Sequence, residues 1–174
     1  ISISISLQAS VQEQFRLLGT DKFFIQPRGQ IAGPGTGGAV QLTEDDAKII
    51  KNIPGIKDIA SWTLAPAKIS YHDNIRYTSV MGIDLGTSPL FIESGAYKAE
   101  DGRLLLEGDQ GVVMIGSQYQ RNNFLGREVQ VGNRITINGR EFRVKGILKP
   151  LGNSFDDRLI YMPFEDFSPL FNLP

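Results

Sequence analysis

The stretch Arg134-Ile135-Thr136-Ile137-Asn138-Gly139-Arg140-Glu141-Phe142-Arg143-Val144 decides the fold class. Ile135, Ile137, Phe142 and Val144 alternate with polar residues, which is the period of a strand with one core face and one wet face. Asn138-Gly139 between them suits the positive φ angles of a type I′ turn. The reading is a β-hairpin whose turn is exposed at the edge of a sheet. A lone hairpin cannot bury its apolar face, so further strands must lie elsewhere in the chain.

Working outward, Val112-Val113-Met114-Ile115 is apolar at every position and reads as a buried strand, followed by a short amphipathic helix over residues 119–125. Downstream, Leu159-Ile160-Tyr161-Met162 reads as a strand ended by Pro163, with a helical segment over 164–170. Upstream, Lys68-Ile69-Ser70-Tyr71 and Ile75-Arg76-Tyr77-Thr78-Ser79-Val80 flank His72-Asp73-Asn74, a second hairpin with a short polar tip. Strand character also extends through Ile56, Ile59, Trp62 and Leu64, and residues 88–93 suit one helical turn.

Thr43 opens a helix. Its hydroxyl can cap the Asp46 amide, Glu44, Asp45 and Asp46 favour the positive helix end, and Leu42 and Ala47 occupy the staple positions. Ala47, Ile50 and Ile53 line one face with Ile49 beside them, and Pro54-Gly55 stops the helix. Leu7, Val11, Phe15 and Leu18 recur at helical spacing over residues 7–18, while residues 1–5 fit strand or helix equally. Residues 22–26 read as a short strand and residues 27–38, with Gly33-Pro34-Gly35-Thr36-Gly37-Gly38, as a surface loop. No internal repeat is visible. The class is α+β, strand-rich with few helices.

With 174 residues the chain has room for one compact domain or two small lobes, and buries roughly 70% of its unfolded surface. Eighteen Lys+Arg against 19 Asp+Glu leave a formal charge of -1, without the clustered positive excess that grips a phosphate backbone, which argues against a nucleic-acid partner. The absence of cysteine excludes thiol nucleophiles, zinc–thiolate sites and disulfides, and a single histidine excludes a two-histidine metal site. No apolar run approaches the ~20 residues of a membrane span, and no signal peptide is visible. A chain that begins Ile1-Ser2-Ile3-Ser4 reads as a piece excised from something longer.

Five motifs invite chemistry and each has a plainer reading. The glycine-rich segment lacks the lysine of a nucleotide loop, since Gly38 is followed by Ala39 and Val40. His72-Asp73 resembles a base with its orienting carboxylate but falls at a hairpin tip, and Ile115-Gly116-Ser117-Gln118-Tyr119 lacks the second glycine of a nucleophile elbow. Asp156-Asp157 lacks the alternating oxygens of a calcium loop, and Glu100-Asp101 and Glu107-Gly108-Asp109 around Gly102-Arg103 read as solvated turns. The sequence therefore assigns no catalytic, cofactor-binding or metal-ligating residue and calls for no cofactor.

The order of the pieces resembles the extracytoplasmic core domain of MacB/FtsX-type ABC transporter permeases. The resemblance runs through residues 11–20, Phe24-Ile25-Gln26-Pro27, Leu42-Thr43-Glu44-Asp45-Asp46-Ala47 and Ile53-Pro54-Gly55-Ile56. It continues through Val80-Met81-Gly82-Ile83-Asp84, Gly102-Arg103, Val113-Met114-Ile115-Gly116, Val131-Gly132-Asn133-Arg134 and Phe142-Arg143-Val144-Lys145-Gly146. It implies two lobes: residues 1–66 as the N-terminal helix and first part of a membrane-proximal porter-like α/β lobe, and 67–174 as an inserted, distal, mixed β-rich lobe with its return segment. Relatives of this type continue past the Ile160-Tyr161-Met162-Pro163 strand, so the first lobe is expected to be incomplete at Pro174.

The resemblance further implies a domain that is not an enzyme and lies on the extracytoplasmic side of a cell membrane. Its partners would be a cytoplasmic ATPase subunit or domain reached through transmembrane helices, a second permease copy or paired permease, and an extracytoplasmic adaptor. The role would be mechanical, coupling ATP hydrolysis to export or release of a substrate. The competing reading is a soluble ligand- or peptide-binding α+β module.

Overall fold

The computed structural model describes residues 23, 25, 42–87, 97–121 and 123–173; the readings for residues 1–22, 26–41 and 88–93 lie outside them. In chain order the elements are α1 (Glu44–Lys51), β1 (Trp62–Tyr71), β2 (Asn74–Ile83), β3 (Ala99–Gly102), β4 (Val112–Ile115), α2 (Gln118–Arg121), β5 (Arg134–Ile137), β6 (Arg140–Leu148), a 3-10 turn (Asp156–Arg158), β7 (Ile160–Pro163) and α3 (Phe164–Phe171). The α+β, strand-rich reading holds.

The hairpin that set the class is present. Ile137 pairs with Arg140, and Asn138 and Gly139 sit at φ 49° and 87°, the two positive angles a two-residue turn requires. The turn is not at a free sheet edge, however. Asn138 N donates to the Lys68 carbonyl at 2.9 Å, and the Lys68 amide donates to Asn138 Oδ1 at 3.0 Å. These bonds extend the two-residue pairing of β5 with β1, Ile69 opposite Ile137 and Ser70 opposite Thr136.

That seam closes the architecture. Strand order is β3-β6-β4-β7-β2-β1-β5, and β5 also pairs with β6, so all strands except β3 form a ring. The ring is mixed: β4–β6 and β2–β7 are parallel, the remaining pairs antiparallel. Inside it lie Ala67, Ile69, Val80, Val113, Ile115, Ile135, Ile137, Phe142, Val144, Ile147, Ile160 and Met162. Each fully buried aliphatic chain there is worth about 1.5–3 kcal/mol in transfer free energy.

The alternate residues of the same strands face outward, and part of that outer surface carries a second apolar layer. Met81, Ile83, Val112, Met114, Leu148, Leu159 and Tyr161 are covered by Leu85 and Leu105, with Leu64, Tyr97 and Leu104 packed alongside. This explains why β4 and β7 are apolar at every position: both their faces are buried. Glu100-Asp101 and Asp109, read as parts of solvated turns, instead lie in β3 and on Arg103, and Gly102-Arg103 ends β3 and anchors this layer. Gly102 has φ +70°, and a Cβ there would overlap the Lys145 carbonyl of β6. Arg103 then grips Asp109 with two bonds of 2.6 and 2.7 Å.

Other boundaries differ from the sequence reading. β1 starts at Trp62 and runs through Pro66 without a break, whereas residues 56–61 are not strand. Pro66 is tolerated because β5 pairs β1 only at Ile69 and Ser70, so its missing N–H breaks no bond to β5. The helix expected over 119–125 ends at Arg121, and Asn123 follows in the left-handed region at φ 46°. The Thr43 cap is present as a full capping box, Asp46 N donating to Thr43 Oγ1 and Thr43 N donating to the Asp46 carboxylate. Ile49 and Ile53, expected on the packed face of α1, are 66% and 50% exposed.

Candidate functional site

The register places where the chain comes into the barrel beside where it leaves. Trp62, the first residue of β1, lies opposite Ile83, and Ile83 lies opposite Pro163, the last residue of β7. Three neighbouring strands at the usual spacing put Trp62 and Pro163 roughly 10 Å apart at one end of the barrel.

α3 follows Pro163 directly and seals this end. Phe167 is fully buried in the inner core, with Phe164, Leu170, Phe171 and Leu173 packed around it, and its ring lies 4.3 Å from that of Phe171. The helix comes this close because β2 carries glycine at position 82. A Cβ there would stand 2.5 Å from Phe167 Cγ.

A buried carboxylate fastens the helix to the strands. Asp166, in the first turn of α3 and only 4% exposed, accepts a bond from the Gly111 amide at 2.6 Å and one from Arg140 Nη2 at 3.1 Å. Arg140 follows the Asn138-Gly139 turn and also lies over the Phe142 ring at 5.3 Å. One side chain therefore joins α3, the start of β4 and the β5–β6 turn. Charge-assisted bonds of this kind are strong, and losing one partner would leave a buried charge exposed to its full desolvation cost. The opposite end is closed by Tyr119 of α2, whose hydroxyl donates to the Arg158 carbonyl at 2.8 Å, with Leu125 and Val129 beneath.

The motifs weighed for chemistry are placed apart. His72 sits exposed at the β1–β2 tip, φ 50°, its ring edge-on to Tyr71 at 4.5 Å. Ser117 is buried at 3% exposure before α2, where its carbonyl accepts the amides of Gln120 and Arg121. No hydrogen bond joins the two residues. Asp157 Oδ1 accepts the Leu151 amide at 2.7 Å, and Asp156 takes part in a local turn with Asn153. Among the described residues, no group of three or more His, Asp or Glu side chains is arranged to hold a metal ion. The glycine-rich segment 33–38 lies outside the described residues.

The electrostatics are those of a framework. Hydrogen bonding to Arg103 holds the Asp109 carboxyl below its ordinary value. Burial pushes the Tyr97 phenol up to about 12, and raises Tyr119 and Tyr161 as well. Sequence reasoning missed Asn138 as the closing residue of the barrel and Asp166 as the fastening of α3. Both act across long sequence separations that local patterns do not report.

A family model for the MacB-like periplasmic core domain matches residues 1–173. The chain belongs to that family. An uncharacterized ABC transporter permease of Methanocaldococcus jannaschii is 30% identical over 98% of this chain and 42% of its own length. The uncharacterized permease YknZ of Bacillus subtilis is 29% identical over 76% of this chain and 34% of its own. The macrolide export ATP-binding/permease protein MacB of Bdellovibrio bacteriovorus is 27% identical over 92% of this chain and 26% of its own length. The chain thus spans less than half of each of these relatives.

Two solved structures share the fold of this MacB-like domain. The extracellular domain of the noncanonic ABC-type transporter YknZ superposes with a TM-score of 0.60 at 20% identity, covering 75% of this chain and 67% of that one. The periplasmic region of MacB from Actinobacillus actinomycetemcomitans gives 0.60 at 19% identity, covering 77% and 60%. No helix among the described residues is long and apolar enough to cross a membrane.

Proposed function

We propose that this MacB-like domain works on the extracytoplasmic side of an ABC transporter permease, coupling ATP hydrolysis mechanically to export or release of a substrate. The observation that carries the reading is the shared end of the barrel. The chain comes in at Trp62 and leaves at Pro163 on adjacent strands, and α3 is fastened there through Phe167 and Asp166. Displacement of the segments that bear these connections would move the barrel as one body, because close-packed cores transmit strain rather than absorb it. Hydrolysis itself belongs to a cytoplasmic ATPase subunit or domain reached through transmembrane helices. The domain carries out no reaction of its own.

In this reading residues 1–66 begin the membrane-proximal lobe and 67–174 form the distal lobe and its return, with β1 carrying the chain from one to the other. A second copy or paired permease faces it, and an adaptor outside the membrane is the natural further partner. The test uses the full permease with its ATPase. Phe167→Ala empties the seat on Gly82, and is expected to keep ATP hydrolysis while lowering substrate exported per ATP consumed. Phe167→Leu should restore most of the loss. Hydrolysis and export falling in proportion, or export unchanged, would contradict the coupling role.

A further inference from the structure

The outward residues of β2, β1, β5 and β6 that lie beyond the second apolar layer form a bare face whose composition points to a partner. The register aligns them in rows. Tyr77 stands opposite Lys68; Ile75, Ser70, Thr136 and Glu141 follow one another across the four strands; Arg134 stands opposite Arg143. Tyr77 is 75% exposed and Ile75 45%.

Two features of this face are unfavourable for the isolated fold. Like charges directly opposite each other on neighbouring strands repel, and Arg134 with Arg143 is such a pair. Glu141 answers one of them, its carboxylate 3.1 Å from Arg134 Nη1, while Arg143 and Lys68 have no carboxylate partner among the described residues. Beside them a large aromatic and a β-branched residue remain in water. Arginine and tyrosine are the residue types that carry binding energy at protein interfaces.

We propose that this face docks a protein partner whose contacting surface places carboxylates against Arg134, Arg143 and Lys68, and apolar groups against Ile75 and Tyr77. The central Ser70 and Thr136 are short side chains between Ile75 and Glu141 in the same row. Charge complementarity selects the occupant. An anionic bilayer favours uniformly basic surface, whereas Glu141, one row from the facing arginines and paired with Arg134, favours a discrete pattern of charges. A second copy of the chain would bring arginine against arginine if it docked face to face. The inference rests on the extracytoplasmic reading only for where the partner is met, and a failure of coupling would leave it standing.

The experiment uses the full permease in cells, with a photo-crosslinking amino acid at Thr136 or Tyr77 and, as control, at exposed Lys149. Both face positions are expected to capture one protein, through a peptide that mass spectrometry shows to contain Asp or Glu, and the control is not. Arg143→Glu should cut the adduct at least tenfold. The same change turns the repulsive cross-strand pair into an attractive one, so the thermal midpoint of the purified permease should hold or rise. Ile75→Ser should weaken the adduct without changing that midpoint. Adducts only to lipid, only to a second permease copy, or to nothing would overturn the proposal, as would a protein adduct indifferent to Arg143→Glu.

Discussion

The covered and the bare halves of the barrel's outer surface are made by the same strands and differ in what lies over them. Over β4, β7 and the ends of β2 and β6, the chain between β2 and β4 returns to lay Leu85, Leu104 and Leu105 on the sheet. Over β5 and the facing parts of β1, β2 and β6, Lys68, Ile75, Tyr77, Arg134, Glu141 and Arg143 remain exposed. The contrast separates residues that hold the fold from residues available to something else, and burial, not residue type, draws the line.

The sharpest way to break the comparison is to truncate one apolar residue in each half. Leu105, 3% exposed, should cost about 2–4 kcal/mol as Leu105→Ala, because the cavity adds to the lost transfer energy. Ile75→Ala should stay within about 0.5 kcal/mol, as exposed substitutions usually do. Denaturant midpoints compare the two directly, and equal losses would show that the bare face is also part of the core.

The ion pairs give a smaller test. Arg103–Asp109 is bidentate with the Asp109 side chain only 14% exposed, whereas Arg134–Glu141 is 68% and 57% exposed. Asp109→Asn should cost roughly 1–2 kcal/mol and Glu141→Gln at most about 0.5. The Asp109 carboxyl lies below its ordinary value in the folded state, chiefly through its bond to Arg103. Its contribution is therefore fully present above the unfolded pKa and is lost as pH falls through the folded one. Asp109→Asn should therefore flatten the acid limb of the stability curve, read as thermal midpoint against pH, and an unchanged limb would contradict the assignment.

The smallest effect compares the two apolar layers through their tyrosines. Tyr119 donates to the Arg158 carbonyl, while the Tyr161 hydroxyl, buried beside the Tyr97 ring, makes no hydrogen bond of ordinary geometry among the described residues. Tyr119→Phe should cost about 1 kcal/mol, and Tyr161→Phe should be neutral or stabilising by a similar amount. Opposite signs of the shift in thermal midpoint would support the assignment of the two hydroxyls. A matching loss in both would refute it.

Much of this was legible in the sequence wherever a local rule applied. Asn138-Gly139 announced its turn, Thr43 its cap, and the unbroken apolar run 112–115 a buried strand. Alternation also told which residues of β5 and β6 face outward. What it could not tell is which outward positions the chain would later cover, since Leu105 reaches the sheet through a connection with no periodic signal. Closure of the barrel was hidden for the same reason. It depends on Asn138 meeting Lys68, a bond across seventy positions of chain. The fastening of α3 through Asp166 to Gly111 and Arg140 is likewise non-local, and a lone aspartate in a first helical turn reads as dipole chemistry.

The central claim is that the barrel moves as one body when the connections at its shared end are displaced. Because the 174 residues contain no cysteine, spin labels can be placed on chosen pairs. Pulsed electron paramagnetic resonance on the full permease would compare a pair within one barrel, at Arg127 and Lys149, with Arg127 in two facing copies, before and after nucleotide trapping. The account expects the distance within the barrel to stay fixed and the distance between copies to change. An inter-copy distance that ignores nucleotide, or a barrel whose internal distance shifts with it, would contradict the claim.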